Sequence, residues 1–91
     1  SDGEAKTLAL RQDLAARAAG MSLTVGDARG AREWASQGLA LSEGRTLLRA
    51  QLLLVRADAE RALGDTEASG DLLVEALGIN QDLLERELET P

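Results

Sequence analysis

Carboxylates, hydroxyls and arginines are the side chains of this sequence that could carry out chemistry, since the chain has no histidine, cysteine or tyrosine. Two carboxylate pairs are close enough in sequence to be considered as a general acid and base, Asp58 with Glu60 and Asp71 with Glu75. Only the second pair, four residues apart, would share one face of a helix. Because neither pair has a demonstrable apolar pocket, we interpret these carboxylates as solvated surface charges.

Nucleophilic, phosphate-binding and metal-binding motifs are also missing. The serines have no histidine to serve as a base, and Lys6 stands alone near the N-terminus. The glycines mark helix ends and packing points rather than a phosphate-binding loop, and no run of alternating oxygen ligands could hold Ca²⁺. The sequence therefore predicts a protein that is not an enzyme and has no catalytic, cofactor or metal site.

The composition predicts helices. The 91 residues include 18 leucines and 16 alanines but only 3 valines, one isoleucine and one aromatic residue. So few β-branched and aromatic side chains argue against a sheet, and no apolar run approaches the ~18 residues of a membrane span. We expect one all-α domain over residues 1–91 that does not insert into a membrane. The lack of cysteine suits both the cytoplasm and an exported compartment, and we favour the cytoplasm over the periplasm.

The net charge of −6 is divided unevenly, with +2 over residues 1–57 and −8 over residues 58–91. An acidic second half repels phosphate backbones, so nucleic acid is not an expected partner. Two interpretations of this charge remain open. The acidic faces either keep the domain soluble or dock a basic partner, which includes the less acidic end of a neighbouring copy.

Two Gly-Asp pairs divide the apolar-periodic stretches. A glycine can close a helix in the left-handed conformation, and the aspartate after it can cap the next helix. Such short connections predict antiparallel helical hairpins. We predict five helices, at about residues 4–24, 28–41, 46–63, 66–77 and 81–88, the last of them capped by Asn80, with frayed ends at residues 1–3 and 90–91.

Apolar periodicity predicts which face of each helix is buried. In the first helix that face comprises Leu10, Leu14, Ala18, Met21 and Val25, and in the second it comprises Ala31, Trp34, Ala35, Gly38 and Leu39. In the third helix it comprises Leu48, Leu52, Val55, Ala59, Ala62 and Leu63. Trp34 is interpreted as a packing residue, with a binding anchor on an exposed groove as the alternative.

A shift of 38 residues aligns the chain with itself. The shift pairs Leu10 with Leu48 and Leu14 with Leu52 in the long helices. It also pairs Gly26-Asp27 with Gly64-Asp65, Ala31 with Ser69, Trp34 with Leu72, Gly38 with Ala76 and Leu39 with Leu77. One long and one shorter helix are thus used twice, and units of this kind bury their apolar faces by stacking.

These repeat positions resemble the tetratricopeptide-repeat (TPR) family over about residues 7–80. That family has a Gly-Asp-type turn, a small residue five positions after the glycine, and an Ala-Leu pair at twelve and thirteen. The positions that match are Gly26, Asp27, Ala31, Gly38 and Leu39 in the first repeat and Gly64, Asp65, Ser69, Ala76 and Leu77 in the second. The family's tryptophan and tyrosine at the start of the first helix are absent, and the period exceeds the usual ~34 residues.

We therefore predict an all-α right-handed superhelix of two antiparallel helix-turn-helix repeats, at about 4–42 and 44–78, plus a C-terminal helix at about 80–89. Because three repeats are the usual minimum for a stable array, we expect either a fragment of a larger protein or self-association. The resemblance also implies a concave groove along the first helix of each repeat. The groove positions most worth testing are Arg17, Gln51, Leu54 and Asp58.

Three functions remain open. The leading hypothesis is a non-catalytic scaffold that binds a peptide or helix of another protein in its groove. The second is a structural module that assembles with copies of itself, favoured by the uneven charge. The third is a regulatory TPR segment of a larger bacterial signalling or secretion protein.

Overall fold

Four α-helices make up the fold. The structure is a computed structural model that describes residues 2–89. The helices are α1 (Asp2–Thr24), α2 (Ala28–Leu41), α3 (Leu47–Ala62) and α4 (Thr66–Glu89). Each helix packs against the next along the chain, and α1 also contacts α3, in a slab of 43 × 32 × 18 Å. The predicted all-α class is confirmed for this part of the chain.

The turn between α1 and α2 has the same geometry as the turn between α3 and α4. Gly26 and Gly64 have φ angles of 82° and 94°, a left-handed conformation that is strained for residues with a Cβ atom. In the first turn the Asp27 amide donates to the Ser22 carbonyl over 2.8 Å, and in the second the Asp65 amide donates to the Glu60 carbonyl over 2.9 Å. The donor and the acceptor of the second bond each lie 38 residues after those of the first, so the sequence repeat is also a repeat of backbone structure in the turns.

Both aspartates cap the helix that follows them. Asp27 Oδ1 accepts from the Gly30 amide at 2.9 Å, and Asp65 Oδ1 accepts from the Ala68 amide at 3.0 Å. Each bond satisfies an amide that the first turn of a helix leaves without a partner. The predicted Gly-Asp turns and their capping role are confirmed.

Replacing Asp65 by alanine removes one of these caps and should lower the free energy of unfolding by about 1 kcal/mol. Asp65→Asn keeps a side-chain acceptor and should stay close to the wild type. Urea denaturation followed by circular dichroism measures both. Equal losses in the two variants would show that the negative charge, rather than the accepted hydrogen bond, stabilises this helix end.

The predicted separate C-terminal helix at 80–89 is wrong. Helix α4 continues without a break through Gly78 and Asn80 to Glu89, so the second repeat does not end at residue 78. Ile79 is buried, Leu83 packs against the core, and Asp82 forms an ion pair with Arg45 in the loop before α3. These contacts along α3 and its preceding loop stabilise a continuous helix across two residues that disfavour helix locally. The predicted helix cap at Asn80 is absent for the same reason.

The N-terminal boundary also differs from the prediction. Asp2 and Gly3 belong to α1 rather than to a frayed end. The frayed ends predicted at Ser1, Thr90 and Pro91 lie outside the described residues.

The core lies between α2, α3 and α4. Its largest fully buried side chains are Leu52, Leu53 and Ile79. Small residues bring the helices together, because a Cβ atom added to Gly38 would lie 2.9 Å from Leu52 Cδ2 and 3.3 Å from the Cβ of Ala15. The small residues of the repeat pattern are buried as the helix packing requires, namely Ala31, Ala35, Gly38, Ser69 and Ala76.

Candidate functional site: an uncovered apolar surface on the first hairpin

The apolar stripe of α1 faces solvent. Its large side chains are exposed, with Leu14 at 62% of its full accessible area, and the exposed group comprises Leu10, Leu14 and Met21 of α1 together with Val25 directly after it. The buried residues of α1 are Ala15 and Ala19. The predicted buried face of the first helix is therefore wrong for its four largest members, and the alanines beside them make the contact with the rest of the fold.

The second repeat provides the physical reason. Leu52, which is 38 positions after Leu14, is fully buried because Gly38 of α2 packs against it. Helix α3 is thus covered by the helix of the preceding hairpin. Among residues 2–89, no helix occupies the corresponding place in front of α1. Periodicity identified an apolar face correctly, but the described fold contains nothing to cover it.

A hollow of about 450 Å³ lies where this face meets α2. We call it the front hollow, and its lining residues are Arg11, Leu14, Ala15, Trp34, Gln37, Ala40 and Leu41. Trp34, the one aromatic residue, is 37% exposed. The side chain of Trp34 is divided between contact with the fold and solvent, so its interpretation as a packing residue and the alternative of a binding anchor both stay predictions.

The front hollow occupies the place that the core occupies in the second repeat. The 38-residue shift pairs Leu14 with Leu52, Trp34 with Leu72 and Leu41 with Ile79. In the second repeat these residues belong to or pack against the core cluster, which also contains Leu39 of α2. Leu39, from the helix that precedes α3, thus completes this site in the second repeat. No such side chain is present at the front hollow among the described residues.

The arginine beside the front hollow also has a counterpart under the 38-residue shift. Arg49 in α3 binds the end of α2, since its Nη1 donates to Ser42 Oγ at 3.1 Å, and its Nη2 lies 3.3 Å from Glu75 of α4. Arg11 is the counterpart of Arg49 in the first repeat. Within the described part of the chain Arg11 has neither an ion pair nor a hydrogen bond. A cation is therefore available beside the uncovered leucines.

The four groove residues expected from the sequence lie in two places. Arg17 lines a second, shallower hollow of about 580 Å³ along α1 and forms an ion pair with Asp13 at 2.9 Å. Gln51, Leu54 and Asp58 lie on one exposed face of α3 and line neither hollow. Asp58 also pairs with Arg61 at 3.4 Å.

Three of the four carboxylates considered for catalysis lie beside arginines. Glu60 is buried, and its Oε1 lies 3.7 Å from Arg32 Nε, whereas Asp58 is exposed and pairs with Arg61. Glu75 pairs with Arg49. Among residues 2–89, no cluster of three or more acidic side chains could hold a metal ion. Over the same residues, no helix combines the length and apolar character needed to cross a bilayer.

Comparison with known proteins gives no relative. No protein-family model, no curated protein and no solved structure matches the chain. The repeat and the uncovered apolar surface are therefore the features that bear on function.

Sequence reasoning missed Arg11, Gln37, Ala40 and Leu41 as members of a surface site. The signal that could have found them was the repeat itself. The apolar lining residues Leu14, Ala15, Trp34 and Leu41 have counterparts in or against the core of the second repeat, so the alignment of the two repeats identifies them as an apolar surface that a further helix could cover. The alternative interpretation of Trp34 as an exposed anchor pointed to the same place.

Proposed function

We propose that this chain is a non-catalytic protein-interaction module of the TPR-like type, which binds an amphipathic helix of a protein partner in the front hollow. The observation that carries the proposal is the exposure of Leu14 and Trp34 at positions whose counterparts, Leu52 and Leu72, receive a helix in the second repeat. Exposed apolar patches bordered by polar residues are typical of protein-binding surfaces.

The repeat arrangement supports a stacked superhelix. The two turns have the same backbone geometry and lie 38 residues apart. Each turn joins the two helices of one hairpin, and the two hairpins pack in chain order. A stack of this kind grows by adding a helix to the uncovered face of its terminal helix. A bound helix on α1 would continue the pattern by which α2 packs on α3.

The chemistry of the hollow indicates what its ligand should carry. Leu14, Trp34 and Leu41 offer an apolar surface that suits leucine-sized side chains. Arg11 at the rim favours a carboxylate on the bound helix. The ligand expected here is therefore a leucine-rich helix with acidic residues beside its apolar stripe. The basic partner expected from the net charge would instead meet the acidic α4.

The face of α3 predicted as a groove offers less binding energy. Its apolar member is Leu54, and Gln51 and Asp58 beside it are polar and exposed. Tryptophan and arginine are the side chains that dominate protein interfaces, and the front hollow contains both. We therefore place the leading binding surface on α1 and α2. The regulatory role in a larger bacterial protein stays a prediction.

A synthetic helix tests the proposal directly. The probe is a peptide with leucines at helical three- and four-residue spacing and glutamates at the other positions. The chain has one tryptophan and no tyrosine, so its fluorescence reports on Trp34 alone. Binding in the front hollow should move the Trp34 emission to shorter wavelength in a saturable titration.

Two matched variants locate the binding surface. Leu14→Glu puts a charge in the hollow and should abolish the titration, whereas Leu54→Glu, an exposed leucine on α3, should leave it unchanged. Both positions are accessible to solvent, so both variants should keep the helical circular dichroism spectrum of the wild type. Loss of binding in Leu54→Glu with retention in Leu14→Glu would contradict the front hollow and favour the groove on α3.

A further inference from the structure

Helix α4 carries a second uncovered apolar face, at the opposite end of the fold. Leu77 is 66% exposed. The face, which we call the α4 stripe, comprises Leu73, Val74, Leu77, Leu84 and Leu88. These residues recur at three-, four- and seven-residue spacings, so they form one continuous strip along the helix. The described fold thus presents an apolar surface on its first helix and another on its last.

The two surfaces correspond to the two sides of one internal junction. Leu39 of α2 is 8% exposed and lies in the core cluster with Leu52 of α3. The 38-residue shift pairs Leu39 with Leu77 of the α4 stripe, and it pairs Leu14 of the front hollow with Leu52. The face of α2 that packs on α3 corresponds to the α4 stripe, which is exposed to solvent. The face of α3 that packs on α2 corresponds to the face of α1 that lines the front hollow, which is also exposed to solvent.

We propose that a second copy of this chain docks head to tail, with the α4 stripe of one copy packed into the front hollow of the next. Leu77 then takes the place beside Leu14 and Trp34 that Leu39 takes beside Leu52. This inference rests on the proposed function, because it names the helix that the front hollow binds. It uses the packing of α2 on α3 as its template.

The lengths of the two helices fit this arrangement. Helix α4 extends past Ile79, the counterpart of the α2 end at Leu41, as far as Glu89. Helix α1 begins at Asp2, well before Ala9, the counterpart of the α3 start at Leu47. Helices joined by a short turn such as the α2–α3 connection run antiparallel. In the same arrangement between copies, the additional turns of α4 and α1 lie side by side.

Charge also favours contact between unlike ends. Helix α4 carries seven acidic side chains and one arginine. Helix α1 carries equal numbers of acidic and basic side chains, and Arg11 lies in the front hollow. Contact between two α4 helices would bring like charges together, whereas contact between α4 and the neutral α1 avoids this repulsion and brings carboxylates towards Arg11. Such attraction steers association and selects the orientation of the partners.

The fold exposes more area than a compact monomer of its mass. The chain exposes 6164 Å², whereas a compact monomer of 9.6 kDa exposes about 5,100 Å². The difference is on the order of the ~800 Å² that each partner contributes to a standard protein interface. Because the two surfaces of a copy differ, the contact is heterologous and generates open arrays or rings rather than an isologous dimer.

Two complementary variants test this inference. Leu14→Glu blocks the front hollow but leaves the α4 stripe intact, and Leu77→Glu does the reverse. Each variant alone should stay monomeric in sedimentation velocity at concentrations where the wild type forms oligomers larger than dimers. An equimolar mixture should form a 1:1 dimer and nothing larger, because only one intact contact is available to each pair.

Trp34 provides the second readout. With Trp34→Phe added to the Leu14→Glu chain, the remaining Trp34 belongs to the Leu77→Glu chain and lines the occupied hollow. Its emission should shift to shorter wavelength on mixing. Leu54→Glu serves as the control and should associate as the wild type does.

Two results would overturn the inference. Self-association of either single variant would show that copies pair through like faces. A wild type that stays monomeric up to millimolar concentration would show that a second copy does not occupy the front hollow. Saturable binding of the synthetic acidic helix in that monomer would leave the proposed function intact, so failure of the inference and failure of the function are distinguishable.

Discussion

Replacing Leu52 by alanine should lower the free energy of unfolding by about 2–5 kcal/mol, the usual cost of a leucine-sized cavity in a core. Leu52 has no exposed surface and contacts α2 at Gly38. The same substitution at Leu14 should change the unfolding free energy by about 0.5 kcal/mol or less, because exposed side chains contribute little. The two leucines occupy the same position of the repeat and differ in whether a helix covers them. The difference between their losses in unfolding free energy therefore measures the effect of the covering helix.

Urea denaturation at low protein concentration measures both variants without a contribution from association. Domains of this size have only about 5–15 kcal/mol of total stability. A loss at the upper end of the expected range therefore abolishes the cooperative unfolding of Leu52→Ala, and that result supports the same conclusion. Equal destabilisation at Leu14 and Leu52 would contradict the structure, since it would mean that the face of α1 is covered in the monomer.

Replacing Gly38 by valine should destabilise the fold by about 1–3 kcal/mol through overpacking. An added Cβ atom would already lie 2.9 Å from Leu52 and 3.3 Å from Ala15, and valine adds two further methyl groups. The site lies between α1 and α3, so neither neighbour can move without disturbing the contact between hairpins.

The matched control is Gly70→Val in α4, where an added Cβ atom has no other atom within 4 Å. Replacing a mid-helix glycine at an open position should be neutral or stabilising by a few tenths of a kcal/mol, because valine has the higher helix propensity. Thermal denaturation compares the two variants. A Gly38→Val protein as stable as Gly70→Val would show that α2 lies farther from α3 than the structure indicates.

The hairpin turns were predictable because their chemistry is local. A glycine that adopts a positive φ and an aspartate that accepts from an amide three residues later are set by the turn itself, so the pairs at Gly26 and Gly64 could be identified without tertiary information. The small repeat positions Ala31 and Ser69 were predictable for a related reason, since their size is preserved wherever two helices approach closely.

The exposure of α1 was not predictable from periodicity. A stripe such as Leu10, Leu14 and Met21 shows that a helix has an apolar side, but only the arrangement of the other helices determines whether something covers it. The sequence contains the same stripe in α3, where α2 covers it. The candidate site could therefore be identified from a comparison of the two repeats, but not from either repeat alone.

The continuity of α4 was missed because tertiary contacts override local propensity. Gly78 and Asn80 each disfavour a helix interior, and together they predicted a break. Ile79 is buried and Leu83 is partly buried against the core along this segment, and full burial of one such side chain is worth about 1.5–3 kcal/mol. That gain exceeds the propensity cost of one glycine and one asparagine.

The most direct test of the uncovered front hollow is acrylamide quenching of Trp34 fluorescence across a protein concentration series. At low concentration the half-exposed indole should be quenched readily. As concentration rises, the quenching constant should fall and the emission should move to shorter wavelength, with both changes reversed by Leu77→Glu. A tryptophan that is protected at every concentration would contradict the account, because the hollow would then be closed within the monomer.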